Sequence, residues 1–134
     1  MKLVTVKEIM IPAEKIATIS SLETVRNCLR VMQEKKVKSL IVTKDNPHDA
    51  FGIVTYTNIL KAIFSRDGDM DLLNVYDIAT KPIVQVSSDL NIKYAAQMMI
   101  NNRVKRLLVT DSGELLGLLS MNDIVEALMQ FAQE

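Results

Sequence analysis

The chain has 134 residues, 49% hydrophobic but only 4% aromatic, and 16 basic side chains balance 16 acidic ones. Ample aliphatic surface and no net charge exclude a disordered chain, and the charge balance without Trp argues against a protein built to grip phosphate backbones. A single Cys and a single His exclude an intrachain disulfide framework, a Cys-rich zinc site and most His-based catalytic constellations. Lys7 and Glu8 interrupt the opening MKLVTVKEIM, so it does not read as a signal peptide. No run approaches the ~18 apolar residues that span a bilayer. A soluble cytoplasmic protein of a reducing compartment, with no membrane partner, is expected.

In chain order, Thr5-x-x-Glu8 reads as a capping box opening a short helix. An extended segment follows at 16–19, then a longer helix behind Ser20-Ser21 with the stripe Leu22, Val25, Leu29, Met32 at helical spacing. Apolar runs at 40–43 and 51–54 flank the turn chemistry of Lys44-Asp45-Asn46-Pro47. A helix starts after Thr55, and a polar stretch, 65–71, follows it. The order then begins again. Asn74-x-x-Asp77 opens a short helix, and 83–86 is extended. Ser87-Ser88 precedes a helix with the stripe Ile92, Ala96, Met99. Runs at 107–110 and 115–119 flank Asp111-Ser112-Gly113-Glu114, and a last helix starts after Ser120.

The repetition is literal in places. Gly52-Ile-Val-Thr-Tyr-Thr-Asn-Ile-Leu60 returns as Gly117-Leu-Leu-Ser-Met-Asn-Asp-Ile-Val125, an offset of 117 − 52 = 65. Val37-Lys-Ser-Leu-Ile-Val-Thr43 returns as Val104-Lys-Arg-Leu-Leu-Val-Thr110 at 104 − 37 = 67. The two-residue difference falls in the turn, where a duplication tolerates it. This divides the chain into units 5–64 and 74–134 with a linker at 65–73. Each has the order helix–strand–helix–strand–strand–helix, an α+β class. Units of ~60 residues are marginal alone, so the short sheets are expected to pack together as one pseudo-symmetric body.

The repeated Gly-apolar-apolar-Thr/Ser-x-x-Asn/Asp motif has two readings. Thr55 and Ser120 can be N-caps, with Asn58 and Asp123 closing capping boxes and Gly admitting a close neighbouring strand. Alternatively, hydroxyls, free N–H groups and a carboxylate gathered at a helix start suit a phosphate beside a sugar diol.

With its upstream Val-Lys-Ser-Leu-Ile-Val and Val-Lys-Arg-Leu-Leu-Val, the duplicated motif resembles the CBS (cystathionine-β-synthase) domain, and two in tandem resemble a Bateman module. The resemblance covers about residues 5–132, so no fused enzyme is expected. It implies two clefts between the units that bind adenosine compounds. The first would use Ser120, Asn122 and Asp123, facing Pro12, Ile16, Ala17, Val37 and Lys38, with Asp123 accepting from both ribose hydroxyls. The second would use Thr55, Thr57 and Asn58, facing Ile83 and Val84, with Lys105 and Arg106 available to phosphates. Solvated charge at a strand start accounts for Lys105 and Arg106 equally well. Asn58 departs from the family pattern, standing where Asp is usual, and Ile41 and Leu108 replace a frequent proline.

Other features carry less. Asp67-Gly-Asp-Met-Asp71 resembles a calcium loop, but the sixth position is Leu72 and the twelfth Ile78, where an EF-hand needs Gly and Glu. His48 reads as a surface turn residue, and Cys28 as a small core residue. No nucleophile–base pair or metal cluster can be assembled. The expected protein is therefore not an enzyme and requires no cofactor. It is a regulatory module binding AMP, ADP, ATP or a related adenosyl compound and acting on an unidentified protein. Nothing points to a nucleic-acid partner. The alternative is a ligand-free dimerisation or scaffold module. The helices at 60–64 and 128–131 can serve a homodimer or pack within the chain.

Overall fold

The computed structural model describes residues 3–134; the first two residues of the opening segment lie outside it. It holds two compact units. A composite unit joins the described residues up to Ile16 to Val84–Glu134, and a continuous unit runs Ala17–Ile83.

The chain opens in the composite unit with α1 (Val6–Ile9), β1 (Ile11–Pro12) and a 3-10 turn (Ala13–Lys15). The continuous unit contains β2 (Thr18–Ile19), α2 (Val25–Lys35), β3 (Ser39–Val42), β4 (Gly52–Thr55), α3 (Tyr56–Leu60), a π turn (Lys61–Ser65) and α4 (Val75–Ile78). The composite unit resumes with β5 (Gln85–Val86), α5 (Ile92–Asn102), β6 (Arg106–Asp111), β7 (Glu114–Ser120) and α6 (Met121–Phe131). The expected α+β order is present in both halves, with β1 and the 3-10 turn added after α1 in the first. In each, an edge strand pairs parallel to the first hairpin strand, β2 with β3 and β5 with β6. The hairpins are antiparallel, β3 with β4 and β6 with β7. Ser112 and Gly113 both take positive φ, 52° and 79°, so β6 and β7 are joined by a tight two-residue turn whose twist matches the strands.

Compact units and sequence repeats have different borders. β1 belongs to the first repeat, yet it pairs with β7 through Ile11↔Leu118 and Pro12↔Gly117. Reciprocally, Thr80 of the second repeat bridges Ile53 of β4. The opening helices follow the same exchange. Val6 of α1 is fully buried with Ile92, Leu107, Leu119 and Ile124, while Val75 and Ile78 of α4 are buried with Val25, Leu40, Val54 and Ile59. Gly117 permits the first exchange: a Cβ there would lie 2.7 Å from the Ile11 carbonyl oxygen and 2.5 Å from Met10 Sδ. The close-neighbour role expected of this glycine is thus observed.

Two expectations about the long helices need correction. Neither starts at its serine pair: the N-caps are Thr24 and Asn91, whose side chains accept from Asn27 N–H and Lys93 N–H. Leu22 consequently precedes α2 and is exposed rather than part of its core stripe. The reason lies in side-chain competition with the backbone. Ser20 accepts from Leu22 N–H in a local turn, while Ser21 is buried and donates to Asp45 at 2.7 Å. Ser88 repeats this, donating to Asp111 Oδ2 at 2.7 Å. Each helix entry is thus tied to its hairpin turn. The stretch 65–73 is likewise held to α2. Val25 N–H donates to Leu73 O, Arg26 N–H donates to Met70 O, and the Arg26 guanidinium forks onto Asp71 at 2.5 and 2.9 Å.

Candidate functional site

Both copies of the repeated motif end a strand and begin a helix within one unit, so their geometry can be compared group by group. In the composite unit, Ser120 takes an extended conformation (φ −105°, ψ 159°) and caps α6. Asp123 N–H donates to Ser120 Oγ at 3.2 Å, and Ser120 N–H donates to Asp123 Oδ2 at 2.8 Å. The Lys105 carbonyl accepts from Met121 N–H at 2.8 Å. The capping box is therefore complete, yet Oδ1 of Asp123 takes no donor among the described residues. One carboxylate oxygen and the hydroxyl hydrogen of Ser120 remain uncommitted at the start of an 11-residue helix.

The continuous unit builds the same box from different chemistry. Thr55 N–H donates to Asn58 Oδ1 at 2.8 Å, Thr55 Oγ1–H donates to the same oxygen at 2.8 Å, and Asn58 N–H approaches Thr55 Oγ1 at 3.4 Å. Asn58 Nδ2 then donates to Thr80 Oγ1 at 3.1 Å. A backbone N–H can only donate, so it fixes which end of the amide faces Thr55 and which faces Thr80. The carbonyl end of Asn58 is saturated with two donors.

The residues expected in the first cleft divide between the units. Pro12, Ile16, Ser120, Asn122 and Asp123 lie in the composite unit, whereas Ala17, Val37 and Lys38 lie in the continuous one. Those of the second cleft divide likewise: Thr55, Thr57, Asn58 and Ile83 in the continuous unit, and Val84, Lys105 and Arg106 in the composite one. Within the composite unit, Pro12 pairs with Gly117, and Arg106 stands opposite Ser120 across the β6–β7 ladder. Strand register thus sets Arg106 beside the motif of its own unit, as it sets Ser39 beside Thr55. Lys38, Thr57, Lys105 and Asn122 are exposed, and Ile83 is buried.

Sequence reasoning missed Thr80 and the Ser21–Asp45 and Ser88–Asp111 bonds. Thr80 lies 80 − 58 = 22 residues from Asn58, outside any local motif, and only the bridge to Ile53 brings it there. The serines carry a signal in the sequence, since the pairs repeat at an offset of 88 − 21 = 67. Hydrogen bonds from Ser88, first its hydroxyl and then its N–H, hold Asp111 below the ordinary carboxylate range. The Lys81 ammonium does the same to Asp49, at 2.6 Å, taking it to about 2. Cys28 is buried in the continuous unit's core, and desolvation pushes its thiol up to about 11. Among the described residues no group of His, Cys, Asp and Glu could hold a metal ion, and no helix is long and apolar enough to cross a membrane.

Comparison with known proteins gives a consistent neighbourhood. The family model of the CBS domain matches twice, over residues 6–65 and 75–130. The chain is 31% identical over 112 residues to inosine-5'-monophosphate dehydrogenase of Methanocaldococcus jannaschii, covering 83% of this chain and 21% of that enzyme. Among solved structures, a hexameric CBS-CP12 protein from bloom-forming cyanobacteria superposes with a TM-score of 0.84 at 33% identity. That match covers 93% of this chain and 72% of the other. CBSX2 in complex with AMP superposes with a TM-score of 0.78 at 27% identity, over 96% and 98% of the two chains. The chain spans 57%, 21% and 56% of the lengths of the first curated relatives it matches. In the dehydrogenase, the matching part is the CBS part.

Proposed function

Because the chain belongs to the CBS domain family and carries two copies in tandem, we propose that it is a regulatory module that binds an adenosine nucleotide through its repeated helix starts. The observation that carries this reading is the state of Asp123. Among the described residues, a carboxylate already used as a capping partner still offers an uncommitted acceptor oxygen beside a hydroxyl with an uncommitted hydrogen at the positive end of α6. A ribose diol supplies donors for that oxygen, and a phosphate suits the positive end of the helix. The AMP complex of CBSX2 supports adenosine as the ligand class. In this reading Asp123, Ser120 and Asn122, with Pro12, Ile16, Ala17, Val37 and Lys38, serve one nucleotide. Thr55, Thr57 and Asn58, with Ile83, Val84, Lys105 and Arg106, form the second set. The module acts in the cytoplasm on a separate protein and catalyses no reaction itself.

A ligand that binds the folded state alone stabilises it by about 2.7 kcal/mol at 100 times its Kd. A thermal-shift panel of AMP, ADP, ATP, GMP and GTP should therefore raise the midpoint selectively for adenine nucleotides. No shift with any of them at millimolar concentration would leave a ligand-free scaffold as the function.

Homodimerisation is part of the proposal. Leu60 and Phe64 in the continuous unit are 54% and 77% exposed, and Leu128 and Met129 of α6 are 44% and 59% exposed. Apolar helix faces left this open are suited to a symmetric, self-complementary contact. Sedimentation at high micromolar concentration should give a dimer, and a monomer there would remove this part of the proposal.

A further inference from the structure

The two helix starts are unequal: Asn58 stands where the composite unit has Asp123, and Thr80 holds the Asn58 amide nitrogen. Asn58 Oδ1 is filled by the N–H and hydroxyl of Thr55, and its amide nitrogen is directed onto Thr80 Oγ1 at 3.1 Å. The residue in the corresponding place of the composite unit is Ile11. It pairs with Leu118 as Thr80 pairs with Ile53, at the motif offset of 118 − 53 = 65. Isoleucine has no polar side-chain atom, so Asp123 keeps an oxygen unspent, and Asp rather than Asn at that position supplies two acceptors. A sugar diol needs acceptors for its hydroxyl hydrogens. The Asp123 carboxylate has one to give, whereas the Asn58 side chain itself has only its second amide hydrogen.

We infer that Thr80 is a positioning residue that locks the Asn58 amide and closes the Thr55 helix start to ribose recognition, so that each chain reads one ribose, through Asp123. This rests on the nucleotide-binding reading and adds to it a stoichiometry and a specificity determinant outside the motif.

Calorimetric titration of the full chain with AMP, ADP and ATP, each beside its 2′-deoxy form, tests it. The wild type should show one ribose-sensitive site per chain, with the deoxy form at least ten-fold weaker, and Asp123→Ala should remove that discrimination. The double substitution Asn58→Asp with Thr80→Ile copies the composite unit's chemistry and should give two ribose-sensitive sites. Two such sites in the wild type, or still one in the double variant with an unchanged melting curve, would overturn the inference while leaving nucleotide binding intact. No binding of any of the three ribonucleotides would overturn the nucleotide-binding reading and this inference with it. A ligand-free measurement stands independently. In a nitrogen–proton correlation spectrum the Asn58 side-chain amide pair should move on Thr80→Val, and an unmoved pair would refute the lock.

Discussion

Asp123→Asn separates ribose recognition from helix capping. Asp123 Oδ2 accepts from Ser120 N–H at 2.8 Å, and Asn58 shows that an amide oxygen in the equivalent place accepts from Thr55 N–H at the same distance. The capping bond therefore survives the substitution. What is lost is the negative charge in the first turn of α6, worth ~0.3–1 kcal/mol against the helix dipole. The second carboxylate oxygen becomes an amide donor, so a hydroxyl-to-carboxylate contact of ~1.5–3 kcal/mol disappears from the bound state. The expected outcome is adenosine-nucleotide binding weakened roughly 10- to 100-fold, with folding stability lowered only by that ~0.3–1 kcal/mol. Asp123→Ala should weaken binding to the same extent and also lower stability by ~0.5–2 kcal/mol, because the box itself is lost. Asn58→Ala should weaken binding less than Asp123→Ala. Paired calorimetric titrations and urea denaturation of the variants measure both effects. Equal affinity of wild type and Asp123→Asn, or equal affinity of the wild type for ribo and 2′-deoxy nucleotides, would refute the ribose role.

Gly117→Ala should destabilise the composite unit by ~1–3 kcal/mol through overpacking, because its Cβ would press on backbone at Ile11 O. Gly52→Ala, with its nearest contact 3.0 Å from Thr80 O, should cost less, and denaturant midpoints compare the two. The Asp49 carboxyl titrates at about 2 in the folded chain against an ordinary 3.8, chiefly through its bond from Lys81. Folding thus favours the ionised form, and this contribution is complete above the ordinary value and is lost as pH falls through about 2. Wild type should lose stability more steeply than Asp49→Asn over that interval in acid-titrated denaturation curves, and parallel curves would refute the pairing. Cys28, buried and with its thiol at about 11, should resist a thiol-reactive disulfide reagent at pH 8 until denaturant is added. Rapid labelling of the folded protein would contradict that burial.

The element order, the duplication, the capping boxes and the place of both motifs follow from the sequence, because each depends on residues a few positions apart. Capping needs only Thr5 and Glu8, or Ser120 and Asp123, in one turn. The two-residue hairpin turn needs only Ser112 and Gly113. Helix starts were legible only to within a turn, since Ser20, Ser21 and Thr24 compete for the same backbone groups and burial of Ser21 against Asp45 settles which one caps α2. Three matters were decided by tertiary structure alone. The exchange of opening segments sets Ile11 against Leu118 and Thr80 against Ile53, pairings across more than a hundred residues in one case and 80 − 53 = 27 in the other. The β6–β7 register puts Arg106 opposite Ser120. The amide nitrogen of Asn58 is received by a hydroxyl from a different sequence repeat. Local pattern fixes what a residue can donate or accept; which partner it meets depends on strand pairing between distant segments, and periodicity carries no record of that pairing.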